Sequence, residues 1–116
     1  MLRRPLSAPT FVDALPKVEA RQLRPGDLLM HRGLPGRNEG AARPVVRVEP
    51  VQGEPGWVLI VQESVWFPGG ETRERARAGE GVALAPPYWP HGVDRVITHE
   101  DIRAAREHVG GRAIQH

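Results

Sequence analysis

A mainly β fold, arranged as one small barrel, is what this 116-residue chain predicts, and three observations lead there. Its 13 glycines and 12 prolines make up about a fifth of the residues, which leaves room only for short elements. Short apolar runs recur at a spacing of roughly ten residues and are joined by Pro-Gly turns, the pattern of a small barrel or sandwich. The length suits one hydrophobic core and is too short for two independent ones.

Residues 1–20 carry Pro5, Pro9 and Pro16 around small polar residues, with Phe11, Val12 and Leu15 as the apolar cluster. They predict an extended N-terminal arm that pins a hydrophobic patch elsewhere, a patch on a neighbouring subunit included. The barrel is predicted over residues 21–97. Pro25-Gly26 suits the centre of a type II turn, because proline presets φ at the second position and glycine accepts φ > 0 at the third. Asp27 then leads into a strand over Leu28 to His31. GLPGRNEGAARP, residues 33–44, holds three glycines and two prolines with little apolar content, and predicts a mobile loop. From Val45 to Val51 the residues alternate as in a half-buried strand, with Val46 and Val48 on one face and Val45, Arg47 and Glu49 on the other.

After the QGEPG turn, Trp57 to Val61 is an unbroken apolar run with β-branched residues, short enough for a central strand covered on both faces. FPGGE turns the chain again. In ETRERARAGEG an extended backbone places Arg73, Arg75 and Arg77 on one side and Thr72, Glu74 and Ala76 on the other. VALAP, residues 82–86, and Asp94 to Ile97 predict the remaining strands. One helix is predicted, over residues 98–110, with a tail at 111–116. Thr98 is a good N-cap, Asp101 is placed for a capping box, Ile102, Ala105 and Val109 share a face, and Gly110-Gly111 closes the helix.

The chain has no cysteine, which excludes disulfides, thiolate metal sites and a cysteine nucleophile. No window approaches the roughly 18 apolar residues of a membrane helix, and the N-terminus lacks the apolar core of a secretion signal. A soluble cytoplasmic protein that engages no membrane is the expectation. Net charge is only +2, since 14 acids are interleaved with 16 bases, and a strong polyanion binder carries a clearer imbalance. Fifteen of the 16 bases are arginine, with Lys17 the single lysine.

The order L-R-P-G-D-L-L-M, a Gly/Pro-rich loop, P-V-V-R-V-E-P-V, P-G-W-V-L-I-V and V-A-L-A-P resembles the small SH3-like or Hint-like β-barrel modules of actinobacteria and their phages. The resemblance covers about residues 18–87. It implies an SH3-like barrel working as a binding or assembly module, and a phage protein is one expectation; no cofactor is expected. Splicing chemistry is not implied, because no nucleophile opens the module and Asn38, the only asparagine, falls in the loop. A second stretch, GGETRERARAGEGVALAPPYWPHGV, is similar to the second cupin motif, in which an apolar strand and a proline precede a metal-ligating histidine. There His91 would be the ligand. A cupin metal also needs histidines and a carboxylate from an earlier strand, and only His31 lies upstream. His99 and His108 are nine residues apart on the predicted helix, about 180° around its axis, so they do not chelate as a pair. The expectation is therefore no metal site, and a cupin-like metal-binding protein stands only as the second alternative function.

No nucleophile, base and orienter set is visible. Ser7 and Ser64, the two serines, lack the G-x-S-x-G context, and no phosphate loop occurs. The chain reads as a non-enzymatic module acting through protein contacts or self-association. Tyr88, Trp89 and His91, held between prolines, are the candidate contact residues, because rigid aromatic side chains anchor interfaces at low entropic cost. The alternative is single-stranded nucleic acid on a basic face of Arg73, Arg75 and Arg77, with Trp57, Trp66, Tyr88 and Trp89 as stacking surfaces. Glu71, Glu74 and Glu80 in the same segment weaken that potential, as a charged edge strand protected from aggregation would. Trp57 and Trp66, at the two ends of the central strand, are otherwise expected in the core.

Overall fold

A computed structural model describes residues 11–32, 37–64 and 66–114. In chain order the elements are α1 (Phe11–Ala14), β1 (Lys17–Glu19), β2 (Leu28–Arg32), β3 (Glu39–Pro50), β4 (Trp57–Glu63), β5 (Glu71–Arg77), β6 (Gly81–Ala83), β7 (Arg95–Val96) and α2 (His99–Val109). Single 3₁₀ turns occupy Ala20–Gln22 and Gly110–Arg112. The fold is mainly β.

The main sheet is antiparallel, in the order β2-β3-β4-β5, with β7 added beside the start of β3. β1 and β6 form a separate pair, joined to the main sheet at the Leu29–Leu84 bridge. Among the described residues no closed barrel forms, because β5 pairs with β4 alone. The reason lies in β6: three residues long and followed by Pro86 and Pro87, it pairs with β1 and reaches β2, leaving its approach to β5 open.

The turns follow the sequence. Asp27 N–H donates to Arg24 O at 3.0 Å around Pro25-Gly26, and Gly26 has φ +92°, as a type II turn requires. The same chemistry recurs at Phe67-Pro68-Gly69-Gly70, with Gly69 at φ +77° and Gly70 N–H donating to Phe67 O at 2.8 Å. The helix also follows: Thr98 Oγ1 accepts from Asp101 N–H, the Asp101 carboxylate accepts from Thr98 N–H, and Ile102, Ala105 and Val109 are buried.

Two predictions are corrected. Residues 39–44 belong to β3 rather than to a loop, with Ala41 and Ala42 fully buried; residues 33–36 lie outside the described residues. Low side-chain volume there is what lets β2, β7 and residues 91–92 crowd around one strand. The described part of the N-terminal segment, from Phe11 onward, is not an extended arm: Val12, Leu15 and Val18 are buried in this chain's own core.

The core has two halves on opposite faces of β2 and β3. Leu29 and Val45 join Val18, Val58, Ile60 and Leu84 in one, while Leu28 and Ala42 join Val12, Leu15, Trp89, Ile97 and Ile102 in the other. Alternation of side chains along a strand explains why Leu28-Leu29 is apolar at both positions. α2 closes the second half.

Candidate functional site

Residues 84–92 cross from β6 to β3. Ala85 N–H donates to Leu28 O, Trp89 N–H to Pro86 O, and Gly92 N–H to Ala42 O at 2.7 Å, while His91 bridges Ala42 in parallel. The three candidate contact residues in this loop end in different places. Trp89 is 2% exposed and packs in the core under α2, so its ring meets no partner in this conformation. Tyr88 is 58% exposed, but its hydroxyl donates to Asp101 Oδ1. His91 is exposed.

Asp101 therefore collects Tyr88 O–H, the Trp89 side chain and Thr98 N–H, fastening the proline loop to the first turn of α2. Burial pushes the Asp101 carboxyl up, but the bonds from Tyr88, Thr98 and Trp89 outweigh it and hold the carboxyl below its ordinary value. Tyr88 moves the other way, to about 12, through desolvation and then the carboxylate at its oxygen. Of the two aromatics predicted as anchors, Trp89 is buried, while Tyr88 keeps an exposed ring and ties the loop to α2 through its hydroxyl.

Arg73, Arg75 and Arg77 share one face of β5, as predicted, and that face is largely neutralised. Arg73, Arg75 and Arg77 lie opposite Val61, Leu59 and Trp57 across the β4–β5 ladder. Arg47 meets Glu71 at 3.1 Å and Glu49 at 3.3 Å, and Arg73 lies 3.8 Å from Glu49 and 3.7 Å from Glu71. Arg75 pairs with Glu54 at 2.8 Å. The Glu71 and Glu49 bonds raise the Arg47 pKa further. Arg75 and Arg77 stack on the Trp57 ring at 4.5 and 4.8 Å from its centroid. Among the described residues only Arg77 of this group has no carboxylate partner.

Trp66 and Phe67 supply an aromatic surface that the expectation of a core Trp66 missed. They are 81% and 70% exposed. The turn is ordered by its own hydrogen bonds: Ser64 Oγ accepts from Trp66 N–H at 3.1 Å and Phe67 N–H at 3.3 Å, and Ser64 N–H donates to Gly70 O at 2.9 Å. Pro68-Gly69 directly after the pair is the signal that places them in the turn. Ser64 also borders a cleft of about 240 Å³ lined by Arg43, Pro44, Glu63, His91 and Gly92. Arg43 donates to Glu63 O at 3.2 Å and Thr72 Oγ1 at 3.1 Å in its wall. His91 thus lines the same cleft as Ser64.

A buried charge cluster was also missed. Asp27, 2% exposed, accepts from Arg24 N–H at 2.7 Å and from Arg112 at 2.7 and 3.1 Å, and meets His108 Nε2 at 3.1 Å. Burial raises its pKa, but the Arg112, Arg24 and His108 bonds prevail and leave it lowered. The cluster fastens the C-terminal end of α2 to the turn before β2.

Among the described residues no three His, Asp or Glu side chains are grouped as metal ligands would be, and no helix is long and apolar enough to cross a membrane. Comparison with protein-family models, curated proteins and solved structures gives no match.

Proposed function

We propose that this chain is a non-enzymatic binding and assembly module, a small SH3-like unit acting through protein–protein contacts, with the Trp66–Phe67 turn as its contact surface. One observation carries the reading: two adjacent large aromatics are held mostly in solvent on a turn closed by its own hydrogen bonds. Aromatic side chains on a preorganised backbone lose little freedom on binding, and they are the residues in which interface energy concentrates. His91, at the cleft beside Ser64, supplies a polar rim. Tyr88 and Trp89 hold the loop that carries His91.

The test is photocrosslinking in the native cell with a photoreactive residue at position 67 and, as control, at the exposed Gln52 in the β3–β4 turn. A discrete protein adduct at 67, absent at 52 and lost when Trp66 becomes alanine, is expected. The same adducts at both positions, or none at 67, would overturn the reading.

Nucleic acid is the second reading, favoured by Arg77 and Trp57 alone. Because Glu49, Glu54 and Glu71 already engage the other arginines, oligonucleotide binding at low salt is expected to be absent. Binding that falls steeply with salt and disappears in the Arg73, Arg75 and Arg77 triple alanine variant would reverse the ranking.

A further inference from the structure

The unclosed side of the sheet has two features that belong together. The outer edge of β5 pairs with nothing among the described residues, so its backbone N–H and C=O groups are available to another strand. Beneath that edge, where β5 and β6 diverge, is a cavity of about 210 Å³ with Leu29, Met30, Ile60 and Val82 in its walls and Glu74 and Glu80 at its side. Both glutamates are exposed and have no ion pair among the described residues, unlike Glu49, Glu54 and Glu71 on the opposite face. Glu74 is opposite Ile60 in the ladder, on the core side of the strand.

We propose that this edge accepts an extended segment of a partner protein with alternating charge. Basic residues enter the cavity and acidic residues face the arginine side. A lysine or arginine side chain fits the cavity by lying its aliphatic stem on Met30, Ile60 and Val82 while its charged end meets Glu74 and Glu80. An added strand alternates its side chains as β5 does, so the positions between the basic ones meet Arg73, Arg75 and Arg77, of which Arg77 has no carboxylate. A second copy of β5 in symmetric antiparallel pairing does not satisfy this pattern, because it keeps all its arginines on the arginine side. Antiparallel pairing of two β5 strands centred on Glu74 sets Glu74 against Glu74 and Arg73 against Arg75, and it brings no basic side chain to the cavity.

This inference rests on reading the chain as a protein-binding module, but it uses a different surface from the Trp66–Phe67 turn. The probe is a short peptide of alternating lysine and glutamate, titrated into the isotope-labelled full chain and followed by NMR. Its control has the same composition, with the lysines in one block and the glutamates in another. The alternating peptide is expected to shift the β5 amides and the Met30 and Val82 methyls, and to bind at least roughly tenfold more tightly than the block peptide. Glu74→Gln with Glu80→Gln is expected to remove that preference; Glu80→Gln alone, in an exposed turn, serves if the double variant melts early.

Equal binding of the two peptides, or shifts confined to the Arg47–Glu71 network, would overturn the proposal. So would an unperturbed wild type whose Glu74→Gln variant self-associates, since Glu74 would then only guard the edge. A position-67 adduct without peptide binding removes this inference and leaves the module reading in place. Peptide binding without an adduct removes the Trp66–Phe67 contact surface alone.

Discussion

Tyr88 is the only tyrosine in the chain, so its phenol can be titrated by ultraviolet absorbance without interference from another. Its pKa in the fold is raised to about 12, and folding therefore favours the protonated phenol. That contribution is complete below the ordinary value of about 10 and is lost as pH rises through about 12. Tyr88→Phe is expected to abolish this alkaline loss while lowering stability at neutral pH by about 0.5–1.5 kcal/mol in denaturant unfolding, as for a half-exposed hydrogen bond. Asp27 gives the opposite limb. Its carboxyl titrates lower when folded, so its contribution is full above the ordinary value of about 3.9 and disappears as pH falls through the folded value. Thermal melting below about pH 4 should fall more steeply for wild type than for Asp27→Asn, which starts from a lower melting temperature because Arg112 loses its carboxylate partner.

Local chemistry governs some elements and distant partners govern others. Residues 98–110 contain their own start signal, stop signal and apolar stripe, so α2 was legible in the sequence almost to the residue. Thr98→Ala is expected to destabilise the protein by about 1 kcal/mol, with loss of helical signal near the cap. β3 was legible only in its second half. Glu39 to Pro44 is extended because β2, β7 and residues 91–92 pair with it, and nothing inside Gly40-Ala41-Ala42 announces that. The same limit affected the candidate site: that Tyr88 and Trp89 meet Asp101 depends on where α2 docks, whereas the exposure of Trp66 and Phe67 was readable from the Pro68-Gly69 turn beside them.

Taken whole, the molecule ties α1 to α2 through one half of its core, which changes what truncation does. A detachable arm is removable without loss, but Val12 and Leu15 are 7% and 3% exposed and pack with Trp89, Ile97 and Ile102. A chain starting at Lys17 is expected to lose about 3–5 kcal/mol, comparable to deleting one or two large core side chains, and to melt well below the full chain by calorimetry. An unchanged melting temperature would contradict the placement of α1. Trp89→Ala, at the centre of the same half-core, is expected to destabilise by a similar amount.

The three tryptophans occupy three different surroundings: Trp89 is buried in the core with its side chain bonded to Asp101, Trp57 is beneath two guanidinium groups, and Trp66 is in water. Their fluorescence is consequently a composite that a soluble quencher can take apart, removing Trp66 first and Trp89 last. A partner seated on the aromatic turn would shield only the first component, and melting of α2 would release only the last. The chain carries its own label for distinguishing docking from unfolding.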